Sequence, residues 1–163
     1  MRSTLSGLID TDLATFLESP VMIILGTGEE GMPEIGRGLG AAVQEDGTAL
    51  QVIVSAWQWP GTVANARMNG RIAATFARPA DYVTYQVKGR VDLVAPPTPA
   101  LRACAMRYAT RISAALAELG LAPERTAPWR SDRDLVALRI RPEQVFVQTP
   151  GPRAGSLVAE RRG

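Results

Sequence analysis

Ala49-Leu-Gln-Val-Ile-Val-Ser-Ala56, Trp57-Gln-Trp-Pro-Gly-Thr62, Val63-Ala-Asn-Ala-Arg-Met-Asn69 and, after Gly70, Arg71-Ile-Ala-Ala-Thr-Phe-Ala77 set the order strand, short helix, strand, and that order decides the fold. The first piece is rich in β-branched residues, as a half-buried pleated strand requires. Pro60 cannot donate to a sheet ladder but suits the first turn of a helix, which Gly70 then stops. Ile72, Ala74 and Phe76 fall on one face of the next strand, and Arg78-Pro-Ala-Asp81 turns the chain. From Tyr82 to Val91 the alternation resumes, with Val83, Tyr85, Val87 and Val91 on one side and Thr84, Gln86, Lys88 and Arg90 on the other.

Upstream, Leu5, Leu8, Ile9, Leu13, Phe16 and Leu17 recur at helical spacing, with Asp10 or Thr11 as N-cap and Ser19-Pro20 as the stop. Val21-Met-Ile-Ile-Leu25 reads as a strand buried on both faces. Gly26-Thr-Gly-Glu-Glu-Gly31 then matches the dinucleotide fingerprint G-x-G-x-x-G, which works only where the last glycine opens a helix. Met32 and Pro33 follow instead, and glycine returns at 36, 38 and 40, each costing about 1 kcal/mol in a helix interior. Glu29 and Glu30 would also set two negative charges beside a phosphate, so a hairpin turn is expected here, with Glu34 to Gln44 as the returning strand and Glu45-Asp-Gly-Thr48 as a second turn. The three glycines put bare backbone on one face of that strand, either for the curvature of a barrel corner or for the approach of a flat ligand.

Downstream, Ala95-Pro-Pro-Thr-Pro99 is a stiff linker in which Thr98 can cap and Pro99 can start a helix. Leu101, Tyr108, Ile112, Leu116 and Leu119 form its apolar stripe, ended by Gly120. Cys104 lies on or near that stripe and reads as a buried, inert thiol. Residues 121–133 read as loop, containing Pro123, Pro128 and Trp129. Leu135 to Ile140 and Val145 to Gln148 read as one last strand interrupted near Pro142, and Pro150-Gly-Pro152 ends the fold. The fold class expected is mainly β: an antiparallel sheet curled into a barrel with flanking helices, one domain over residues 1–152.

A chain of 163 residues can bury a single core without staples, and with one cysteine no intrachain disulfide forms, which points to a reducing cytoplasm. The longest aliphatic run is far too short to cross a bilayer, so no membrane is expected. Three arginines and Glu160 carry the net charge of +2 in residues 153–163, leaving the first 152 neutral; a disordered basic tail and no nucleic-acid surface are expected. Histidine is absent, which excludes a Ser-His-Asp triad and histidine-containing zinc sets, and no metal site is expected. An enzyme of this composition would use carboxylates, Tyr, Lys88 or a cofactor that carries the difficult chemistry.

The element order resembles the pyridoxamine 5'-phosphate oxidase-like family, the flavin-binding split barrels. Gly31-x-Pro33-x-x-x-Arg37, Asn65-x-x-x-Asn69-Gly-Arg-Ile-Ala, Phe76-Ala-Arg-Pro-Ala-Asp-Tyr82, Gln86-Val-Lys-Gly89 and Val145-Phe-Val-Gln-Thr-Pro-Gly-Pro152 carry the likeness, over about residues 8–152. The resemblance implies an FMN-dependent oxidoreductase acting on a small molecule, a homodimer with two flavin mononucleotides in clefts between subunits. By position, Arg37 resembles the strand arginine that approaches the cofactor, and Ser55, Ala56 and Trp57 the strand end whose backbone borders the ring. Thr62 and Asn65 fall where phosphate-side contacts would be, and Gln86 and Lys88 lie on the following strand. The phosphate segment departs from the family: Pro60-Gly61-Thr62 stands where a Ser-Arg-Lys-like segment is usual, which leaves a helix N-terminus, a glycine and a hydroxyl for the anion, with Arg67, Arg71 or Lys88 to compensate unless each is a solvated surface charge, the simpler reading. The same fold also suits a non-catalytic protein holding flavin, deazaflavin or another flat ligand. No residue is assigned as catalytic acid or base.

Overall fold

The computed structural model describes residues 7–29 and 31–161. The chain opens with α1 (Thr11–Leu17), capped by Asp10, whose Oδ1 accepts from the Leu13 N–H at 2.8 Å. Leu8 and Ile9 precede that helix and Leu5 lies outside the described residues. Strands β1 (Met22–Glu29) and β2 (Met32–Arg37) pair as an antiparallel hairpin from Ile24 opposite Arg37 to Glu29 opposite Met32. The glycines at 26 and 28 therefore sit in a strand, and the fingerprint reading falls; Glu30 lies outside the described residues.

Next come β3 (Ala41–Val43), β4 (Leu50–Ser55), α2 (Pro60–Met68), β5 (Arg71–Ala77) and β6 (Thr84–Ala95). Pro60 opens α2 and Gly70, at φ 69°, follows its C-cap, as the residues require. The long helix α3 (Pro99–Glu118) is capped by Thr98 and precedes a short α4 (Pro123–Thr126), a 3-10 turn over Ala127–Trp129, β7 (Leu135–Val147) and β8 (Leu157–Glu160).

The sheet runs β2-β1-β5-β6-β7-β4-β3, with β8 added beside β7, and every pairing is antiparallel. Its two ends are consecutive in sequence. Gly38 N–H donates to the Ile23 carbonyl (3.0 Å), Leu39 N–H to that of Ile53 (2.7 Å), and Ile53 N–H to that of Gly40 (3.1 Å), so three residues hand the chain from β1 to β4 and curl the sheet into a barrel. The glycines serve that corner. A Cβ on Gly38 would lie 2.6 Å from Ile23 Cγ2 and 2.7 Å from Val52 Cγ1; one on Gly36 would run into Thr62, and one on Gly40 would approach Tyr108 at 3.2 Å. All three spaces are filled by the chain's own atoms.

Ile23, Leu25, Val52, Val54, Ala74, Phe76, Val87, Leu138, Ile140 and Val145 fill the barrel and are fully buried. On the seam lies α3, where Ile112 and Leu116 join the core and the Tyr108 hydroxyl donates to the Val21 carbonyl at 2.7 Å.

Several expectations change. The single returning strand expected over Glu34 to Gln44 is two, β2 and β3, parted at residues 38–40 and paired to different neighbours, and the loop expected over residues 121–133 holds α4 and a 3-10 turn. Pro142 does not end the last strand but marks an irregularity in it: β7 passes through because its neighbour is Gly89, where a Cβ would strike the Arg141 carbonyl, and Glu143 is skipped between Gln144 opposite Lys88 and Pro142 opposite Gly89. The segment after residue 152 is not all disordered tail. Residues 157–160 pair with Gln144 to Phe146, because the alternating Leu157-Val-Ala159 finds an open edge of β7 there. Among the described residues no helix is long and apolar enough to cross a membrane.

Candidate functional site

Leu25, Thr27, Glu34 and Gly36 share the inward face of the β1–β2 hairpin, because Leu25 pairs with Gly36 and Thr27 with Glu34. Helix α2 lies against that face. Its Thr62 is buried on Gly36, and Thr62 Oγ1 is, among the described residues, the one buried side-chain polar atom without a hydrogen-bond partner. One turn later Asn65 Nδ2 donates to Thr27 Oγ1 at 3.3 Å, and Asn69 Nδ2 donates to the Gly28 carbonyl at 3.0 Å. At the start of the helix Glu34 reaches over Gly61: a Cβ placed there would lie 2.9 Å from the Glu34 Cδ and 3.1 and 3.2 Å from its two oxygens. The helix has no side-chain cap. Thr62 and Asn65 are thus brought together, with their polar groups turned to the hairpin.

Ser55, Ala56 and Trp57 form the end of β4 and the turn into α2, where a second segment of the chain is laid over them. Ser55 Oγ donates to the Arg133 carbonyl (2.6 Å) and Ala56 N–H to that of Asp134 (2.8 Å). The Gln58 amide donates to the Pro128 carbonyl and accepts from Ser131 N–H, while the Arg133 guanidinium lies 4.9 Å from the centre of the Trp57 ring. Arg130 ties the same segment to α3 through the Ala109 carbonyl at 3.1 Å. Residues 128–134 therefore form a strap across the rim, whose edge is Trp129 packed against Arg37 at 4.7 Å.

Arg37, Gln86 and Lys88 belong to a different surface, the outward face of β2-β1-β5-β6-β7. Directly paired residues project to the same side of a sheet. Arg37 pairs with Ile24, Ile24 with Thr75, Thr75 with Gln86 and Gln86 with Phe146, so these five residues stand in one row across the strands. Gln86 Nε2 donates to Thr75 Oγ1 at 3.0 Å within it. The next row is Ile35, Gly26, Ala73, Lys88 and Gln144, with the Lys88 ammonium 5.0 Å from the Phe146 ring centre. Between Arg37 and Gln86, three strand spacings or about 14 Å apart, the floor is made of Ile24 and Thr75, with the small Gly26 and Ala73 in the row beside them. It continues into an open groove of about 700 Å³ edged by Arg71, Lys88 and Arg90, the last of these paired with Glu143 at 3.4 Å.

A separate cleft of about 410 Å³ between the end of α1, β3 and α3 is lined by Cys104, Arg107 and Arg111 and by none of the residues expected at a cofactor site. Cys104 is half-buried rather than buried, and that partial burial still pushes its thiol up, away from the reactive thiolate. Burial also holds the Tyr108 phenol protonated.

No family model matches the sequence, and no curated protein matches it. Solved structures do. HupZ of Group A Streptococcus is 15% identical with a TM-score of 0.54, covering 90% of this chain and 99% of its own. An F420 reductase is 18% identical with a TM-score of 0.52, covering 80% of this chain and 93% of its own. A proposed pyridoxamine 5'-phosphate oxidase of Lactobacillus delbrueckii is 13% identical at 0.52, covering 89% and 97%. The fold is the pyridoxamine 5'-phosphate oxidase-like split barrel.

In this split barrel the sequence-derived residues fall into two groups: Ser55, Ala56, Trp57, Thr62 and Asn65 around the two ends of the β4–α2 turn, and Gln86 and Lys88 on the outer floor, with Arg37 at the border between them. Gly26 and Ala73 leave the floor low beside Ile24 and Thr75. The phosphate of FMN does not fit the start of α2, because Glu34 fills that place, the Thr62 hydroxyl is sealed behind Gly36, and among the described residues no Lys or Arg is held there by a contact. Sequence reasoning missed the floor residues Ile24, Gly26, Ala73 and Thr75, which emerge only once strand register is known. It also missed Glu34 and Gln58, which carry no motif.

Proposed function

We propose that the protein is a flavin-type oxidoreductase that works as a homodimer in the cytoplasm, with the ring lying on the outward face of β1 and β5 between two copies. The observation that carries this reading is the row Arg37–Ile24–Thr75–Gln86 beside bare Gly26 and Ala73: a flat, partly apolar floor with a cation at one end and an amide and Lys88 at the other. Exposed Ile35, 66% accessible, stands at the edge of the floor and gives a second copy an apolar contact. When bound, the ring supplies the electron chemistry; the chain supplies a dry floor, polar groups at its ends and a place for a small-molecule substrate above it.

The test is the absorbance spectrum of the purified protein with its mass in solution. A yellow dimer that bleaches with a nicotinamide donor and regains its colour in air supports the proposal. A colourless protein whose melting temperature does not move when flavins are added overturns it, since a ligand that binds only the folded state raises apparent stability. FMN is the form of the cofactor that the family resemblance implies. The carboxylate over Gly61 favours a second reading, a protein that binds a flat ligand without turning it over; such a protein would be yellow and dimeric, yet inert to the donor.

A further inference from the structure

We propose that Glu34 is a specificity-determining residue that turns phosphorylated flavins away from the start of α2. This inference rests on the flavin reading above and concerns which flavin is taken. A helix N-terminus is the natural place for an anion, since its first N–H groups point outward and its dipole is positive. Here the chain supplies that anion itself. Strand pairing sets Glu34 opposite Thr27, on the face that meets α2, and the missing side chain of Gly61 leaves room for the carboxylate at the first turn. A phosphate arriving there would meet the Glu34 carboxylate within a few ångströms, and among the described residues neither a hydroxyl nor a cation is held there to offset it: Thr62 Oγ1 is buried behind Gly36, and Arg67 and Arg71 are exposed. Glu34 is itself exposed on a strand, so its replacement leaves the core untouched.

An unphosphorylated ring avoids that repulsion. The protein therefore binds riboflavin at least as tightly as FMN, and Glu34→Gln shifts the ratio of the two dissociation constants toward FMN by about tenfold while Glu34→Asp does not. The measurement is quenching of flavin fluorescence on titration with wild type and both variants, at two salt concentrations. Wild-type affinity for FMN should rise with salt as the repulsion is screened, and that of Glu34→Gln should not. A wild type that prefers FMN, or a ratio unchanged in Glu34→Gln, overturns the inference and leaves the flavin reading standing; the phosphate would then be met at the groove edged by Arg71 and Lys88. If none of the three proteins binds either flavin, the reading of the site fails, and the inference fails with it.

Discussion

Thr62 is the residue where two accounts of the protein part. A threonine at the start of α2 reads from the sequence as a phosphate contact, whereas its hydroxyl is buried against Gly36 with no partner. A buried, unbonded hydroxyl costs about 1–3 kcal/mol. Thr62→Val keeps the shape and should stabilise the protein by about 1 kcal/mol, seen as a rise of about 2–4 °C in melting temperature, with flavin affinity unchanged. A loss of affinity would return Thr62 to the ligand. Tyr108 gives a pH test. Its phenol is held protonated by burial in the folded state, while an unfolded tyrosine titrates near pH 10; the stability tied to the neutral form is thus fully present below about pH 10 and is lost as pH rises beyond it. Tyr108→Phe should flatten that alkaline limb in denaturation curves, yet lower stability at neutral pH by about 1–3 kcal/mol because the Val21 carbonyl loses its donor. At this scale the sequence names residues but not their partners, since which side of α2 is covered depends on β2, nearly thirty residues earlier.

Among the elements, the strap over residues 128–134 is the one whose removal says most. It has few apolar anchors and is held chiefly by hydrogen bonds and by the two arginine–tryptophan contacts. Gln58→Ala deletes both bonds of one amide, so amide exchange over residues 128–134 should quicken several-fold while the strands keep their protection. Uniform exchange across the molecule would show instead that the strap and barrel open as one. The elements built from strong local signals were legible: Asp10 and Thr98 cap α1 and α3, Pro60 and Gly70 bound α2, and period-two alternation marks β5 and most of β6. What escaped was decided by neighbours. Only Gly89 lets β7 run through Pro142, and only the free edge of β7 makes a strand of Leu157 to Glu160.

The molecule as a whole presents one sheet face to its helices and core and another to its surroundings. Ile35→Glu, on the outward face, should convert the proposed dimer to a monomer in sedimentation and weaken flavin binding together with it, while leaving the melting temperature of the monomer nearly unchanged, because Ile35 is exposed. A variant that stays dimeric places the contact elsewhere. The barrel was legible from hairpin spacing and its late strand. The register that aligns Arg37 with Gln86 was not, because pairings among β1, β5 and β6 are fixed by the whole sheet. One strand gives that sheet its order of assembly. Between them β4, β6 and β8 all lean on β7, and residues 50–55 must wait for residues 135–140 before half of their backbone groups find partners. During synthesis, then, the barrel stays open until its C-terminal third has left the ribosome. A stalled chain lacking that third would offer two bare strand edges to chaperones and proteases.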